Sequence, residues 1–188
     1  VDFNSQAIDA AKGLVAAIKP QFAFYEQLGS AGFEALEETC RQARESGLLI
    51  IGDAKRGDIS STAAAYAQAI LSPDGPFYCD SVTLNPWMGM DTIEPFLPYC
   101  RDCGSGVFVL LRTTNPGAKL LQHHGTPTAA HALADAMSEW NNEWGDWSEN
   151  QRWGFSLAAT YSLIVFLFGI SIIILNSLRS DRASSASN

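Results

Sequence analysis

Two acids and two bases crowd into Asp53-Ala54-Lys55-Arg56-Gly57-Asp58. Side chains two apart on a strand share a face, so Asp53 and Lys55 point the same way. Asp58 follows after a short glycine turn, close enough to face them. An ammonium fixed beside carboxylates can stabilise a developing anion and then give up a proton. The same residue types also describe a solvated turn, where exposed ion pairs contribute little. The Arg56-Gly57-Asp58 tripeptide, which matches an adhesion motif, is read as coincidence. Weaker constellations lie further on. Cys100 and Cys103 have a metal or redox spacing, but neither Cys40 nor Cys79 has a neighbour to complete a four-ligand site, so no metal is expected. His123, His124 and His131 sit by a Gly-Thr-Pro loop and read as solvated.

The elements that must position the cluster alternate in type. Helical spacing of small and apolar residues covers 3–17, 26–46, 60–71, 91–100 and 128–144, while short apolar runs at 14–19, 48–51, 81–85 and 106–112 read as strands. Short buried strands alternating with helices imply parallel βαβ units. Each strand ends in polar residues: Lys19, then Asp53 and Lys55, then Asn85, then Arg112 to Asn115. Ligands of parallel α/β folds sit at those carboxyl ends.

The 188 residues are 47% hydrophobic and carry a net charge of −8, which supports a packed core and argues against non-specific nucleic-acid binding. Four cysteines are too few for a disulfide scaffold, and a cytoplasmic setting is expected. Residues 154–175 carry no charge and are long enough to cross a bilayer as a helix. A division follows into an α/β unit at 1–146 and a divergent tail at 147–188 whose 154–175 segment is a candidate membrane span.

Residues 14–29, which include Lys19-Pro20-Gln21-Phe22, taken with the Asp53-to-Asp58 cluster, closely resemble orotidine 5'-phosphate decarboxylase of the bacterial branch. The likeness continues through Ser81-Val-Thr-Leu-Asn-Pro-Trp-Met-Gly89 and through Thr113-Thr114-Asn115-Pro116-Gly117, and covers about residues 3–145. The resemblance implies a (β/α)8 TIM-barrel fold, here an incomplete barrel of about four βα units, to which the apolar run at 154–175 is expected to add a hydrophobic C-terminal helix. It implies conversion of orotidine 5'-phosphate to uridine 5'-phosphate in pyrimidine biosynthesis, with a nucleotide substrate, no cofactor and no metal. By the same resemblance Lys19, Asp53, Lys55 and Asp58 form an alternating catalytic array. Asp58, with Ile59 and Thr62, is implied to cross a homodimer interface, and Thr114 to touch the pyrimidine ring.

Two parts of the family pattern have no counterpart: a first strand with a Leu-Asp-Pro turn, and the late phosphate-binding loop with its arginine. The expectation is therefore a gene fragment or fusion junction, inactive when expressed alone, with a membrane anchor at 154–175 as the competing reading of the tail; a third reading, buried strands, is set aside because so long an uncharged run exceeds strand length. Two other functions compete with the main one. A sugar-phosphate decarboxylase or aldolase of the same superfamily would use magnesium, commonly with a carboxylate where this chain has Lys19. A non-catalytic membrane-anchored fragment would have only a binding or scaffold role.

Overall fold

The computed structural model describes residues 2–144, 165–167 and 170–173, with side chains described as far as residue 139. The chain opens with helix α1 (Asp2–Ala11), which buries Ile8 and Ala11. The expected helix to residue 17 stops early, because Gly13 turns the chain at φ 76°. Strand β1 (Ala17–Pro20) follows and is buried throughout. The helix expected over 26–46 begins later, as α3 (Ser30–Glu45), and a short α2 (Phe22–Glu26) that the sequence pattern did not suggest precedes it. Gly29, at φ 63°, breaks them apart in a conformation that favours glycine. Gly32 then lets α3 press against α2: a β-carbon there would lie 1.8 Å from the Tyr25 carbonyl oxygen. Leu36, Cys40 and Ala43, spaced by four and three, form the buried stripe of α3.

Strand β2 (Leu49–Arg56) is longer than the apolar run alone indicated, extending into the charged cluster as far as Arg56. Helix α4 (Ser60–Leu71) and strand β3 (Ser81–Leu84) come next. The expected helix at 91–100 is two short 3-10 turns, Met90–Thr92 and Glu94–Phe96, leading into α5 (Leu97–Cys103). Pro95 and Pro98 suit the opening turns of such segments, where a backbone N–H has no partner. Strand β4 (Gly106–Val109), a short α6 (Ala118–Gln122) that the sequence pattern did not suggest, and α7 (Ala129–Trp144) complete this part.

β1 to β4 pair in parallel in sequence order, Ala17 opposite Leu49 and Val82 opposite Val107, as an incomplete α/β barrel requires. Ile18, Ile50, Leu84, Leu36 and Ile70 meet in one core between sheet and helices. Each fully buried side chain of this kind contributes roughly 1.5–3 kcal/mol.

The tail departs from expectation. The described residues within 154–175 are strands rather than helix: β5 (Val165–Leu167) and β6 (Ile170–Ile173) pair antiparallel, and β6 pairs antiparallel with β1. Val165, Ile170, Ile172 and Ile173 are β-branched and favour a pleated surface over a helix. Among the described residues no helix is long and apolar enough to cross a membrane. The rest of 154–175 lies outside the described residues.

Candidate active site

The charged groups assemble around one carboxylate. Asp53, at 5% exposure in the second half of β2, receives four donors. Lys19 Nζ and Gln21 Nε2 donate to its Oδ2, the latter at 2.9 Å. Lys55 Nζ and Thr83 Oγ1 donate to its Oδ1, the latter at 3.1 Å. Both oxygens are thus fully occupied, by one ammonium and one neutral donor each. Lys19 is buried at the end of β1, whereas the Lys55 side chain is 44% exposed and opens toward solvent. Burial by itself would push the Asp53 carboxyl up. The hydrogen bonds and charges of Lys19 and Lys55 together outweigh that and hold it below its ordinary value.

Lys55 reaches Asp53 by a route that strand alternation does not describe. Between Gly52↔Val82 and Arg56↔Leu84 the register of β2 against β3 shifts, leaving β2 bulged there. Lys55 has φ 48°, and its backbone N–H donates to Thr83 Oγ1 at 2.9 Å instead of to a ladder carbonyl. Beyond the bulge, Arg56 forms an ion pair with Glu26 of α2, and its guanidinium lies 5.2 Å from the centroid of the Tyr66 ring. Gly57 passes so close to β3 that a β-carbon would sit 2.6 Å from the Asn85 carbonyl oxygen. These contacts fix where the chain leaves the sheet.

The other expected site residues stand apart from this centre. Asp58 Oδ1 accepts the Ile59 backbone N–H at 2.8 Å, and among the described residues of this one chain it pairs with neither lysine. Ile59, 54% exposed, and Thr62 lie at the exposed start of α4. Thr114 is exposed in the loop after β4. Its neighbour Thr113 accepts and donates in a pair of 2.8 Å bonds with Gln122. Thr113 and Gln122 line a cavity of about 540 Å³, with Asn85, Trp87, Leu110 and Leu133, beyond the carboxyl ends of β3 and β4. None of Lys19, Asp53 and Lys55 lines that cavity, so chemistry and open volume lie side by side along one rim. Gln21 and Thr83 escaped the sequence reading because neither carries charge or belongs to a recognised catalytic spacing. Gln21 had one available signal, its place in Lys19-Pro20-Gln21-Phe22, two residues after a candidate lysine.

The cysteine pair offers no competing centre. Burial pushes the Cys100 thiol up to about 12, leaving it protonated and unreactive at neutral pH. Among the described residues no group of three His, Cys, Asp or Glu side chains is placed to hold a metal.

Parallel strands with an ammonium–carboxylate–ammonium centre at their carboxyl ends define a partial α/β barrel bearing a fixed-charge site. The chain belongs to the orotidine 5'-phosphate decarboxylase / HUMPS family, whose pattern matches residues 2–167. The match runs past residue 145 into the apolar segment. An orotidine 5'-phosphate decarboxylase of Corynebacterium glutamicum is 48% identical over 121 residues, covering 64% of this chain and 44% of that protein. One from Rhodopirellula baltica is 41% identical over 165 residues, covering 85% of this chain and 55% of the relative. A crystal structure assigned to the same enzyme from Streptomyces avermitilis superposes with a TM-score of 0.71 at 36% identity, over 81% of this chain and 53% of the other. The chain therefore spans about half the length of the relatives it matches.

Proposed function

We propose that this chain carries the decarboxylation centre of an orotidine 5'-phosphate decarboxylase, releasing CO₂ and forming uridine 5'-phosphate. The observation that carries the reading is the Asp53 carboxylate held between Lys19 and Lys55 at the sheet rim. When the bond from the pyrimidine ring to its carboxylate breaks, the electron pair stays in the ring plane, where the π system cannot spread it. Fixed positive charge must then stand where the anion forms. The Lys55 ammonium supplies it, gives its proton to the carbanion and regains one from water. Asp53 orients both lysines, and its negative charge beside the substrate carboxylate favours departure of CO₂. Asp58, Ile59 and Thr62 complete the site of a second copy in a homodimer. The exposure of Ile59 and Thr62, and the absence of an Asp58 contact with either lysine among the described residues of its own chain, support that role. Thr114, exposed in the loop after β4, contacts the pyrimidine ring.

The test is Lys55→Ala in this chain joined to the segments of the Streptomyces avermitilis relative that it does not match. Loss of orotidine 5'-phosphate absorbance is followed with and without a metal chelator. The parent is expected to turn over in both conditions. The variant is expected to fall by at least about three orders of magnitude, roughly 4 kcal/mol of barrier. A variant within tenfold of the parent removes Lys55 as proton donor, and turnover abolished by chelator favours a metal-dependent sugar-phosphate relative.

A further inference from the structure

At the bulge in β2 the ladder to β3 lapses for three residues, between Gly52 and Arg56, and these are the residues that bring Asp53 and Lys55 together. A parallel ladder would offer the Lys55 N–H a backbone carbonyl. Here the acceptor is a side chain, Thr83 Oγ1, at 2.9 Å. The single hydroxyl proton of Thr83 then has two acceptors in reach, Asp53 Oδ1 at 3.1 Å and the Gly52 carbonyl at 3.5 Å, and the carboxylate is nearer and charged. One hydroxyl thus accepts from the backbone of Lys55 and donates to the carboxylate that the Lys55 ammonium also meets. Lys55 needs such a hold, because φ 48° is a region that a residue with a long side chain rarely enters unless its surroundings impose it.

We propose that Thr83 is a positioning residue of the centre: its hydroxyl replaces a ladder carbonyl at the bulge and fixes Lys55 in the left-handed conformation that sets its ammonium on Asp53. Valine is the near-isostere that removes both bonds, and serine keeps them. For its effect on turnover the proposal rests on the decarboxylase reading; for its effect on the Lys55 backbone it does not.

The experiment measures the three-bond amide–Hα coupling of Lys55 in the isotope-labelled 188-residue chain, for parent, Thr83→Val and Thr83→Ser. That coupling is smaller in left-handed than in extended backbone. The value is expected to be small in parent and Thr83→Ser and to rise toward the extended value in Thr83→Val, while amide signals away from β2 and β3 stay in place. In the joined enzyme, Thr83→Val is expected to lower kcat at least about tenfold with little change in KM, and Thr83→Ser to restore most of it. Should Thr83→Val not fold, Thr83→Ala carries the same comparison. An extended Lys55 in the parent, or an unchanged coupling once the hydroxyl is gone, overturns the proposal whatever the turnover. A shifted coupling in a protein that never decarboxylates upholds Thr83 and removes the decarboxylase reading instead.

Discussion

Asparagine in place of Asp53 removes one charge from a buried pair and leaves the shape almost unchanged. The Asp53 and Lys19 side chains are 6% and 10% exposed, so neither can recover water without moving. Removing one partner of such a pair costs roughly 3–5 kcal/mol, because the remaining charge is stranded. Lys55 adds little to that figure: its side chain is 44% exposed, and exposed pairs contribute about 0–1 kcal/mol. The asparagine amide would also turn two protons toward a position where only donors converge. The expected loss is about 3 kcal/mol, a large part of the ~5–15 kcal/mol that holds a domain together. Urea unfolding at pH 7, followed by circular dichroism, measures it. Adding Lys19→Met to Asp53→Asn is expected to return about 2 kcal/mol, since the stranded charge is gone. The pH dependence has a definite sign. The folded carboxyl lies below the ordinary 3.8, so its stabilisation is complete well above that value and disappears as pH falls through the lower folded one. Parent and variant stabilities should therefore converge in acid. A loss below about 1 kcal/mol at pH 7, or strict additivity of the two substitutions, would refute the view of Asp53 as the electrostatic pivot.

Two further outcomes follow from particular contacts. Mixed Asp58→Ala and Lys55→Ala subunits of the joined enzyme should recover activity after subunit exchange, because one hybrid site keeps both residues; no recovery would mean that each site is built within one chain. Gly32→Ala should lower stability by about 3 kcal/mol or more, because its methyl would meet the Tyr25 carbonyl at 1.8 Å, and a melting temperature within two or three degrees of the parent would contradict the close approach of α2 and α3.

The parts of this molecule legible from sequence are those written in charge and periodicity. Asp53 and Lys55 stood out because two opposite charges at the end of an apolar strand are conspicuous, and β1 to β4 because short apolar runs alternate with helical spacing. The hydroxyl of Thr83 was hidden because its role depends on register: only the bulge opposite Val82 and Leu84 brings it to the Lys55 N–H. Asp58 was expected to face the pair, but within one chain its carboxylate turns back onto the Ile59 N–H. The described residues of the tail are strands where a helix was expected, for a different reason. Hydropathy measures the length of an apolar run and not its pairing, and a run interrupted by Gly169 between β-branched residues suits two short strands as well as one long helix.

The pairing of β1 with β6 sets the order in which this polypeptide can be finished. Ala17 finds its partner in Ile173, so β1 waits for a strand made more than 150 residues later. At roughly 5–20 residues per second, one edge of β1 remains without its neighbour for on the order of ten seconds of synthesis. Through that interval the nascent chain displays an apolar strand edge open to other chains. Closing it then requires a loop of more than 150 residues, a slow class of contact to form. The interval in which this protein is most vulnerable to aggregation is therefore set by the ribosome's pace rather than by the strength of its core.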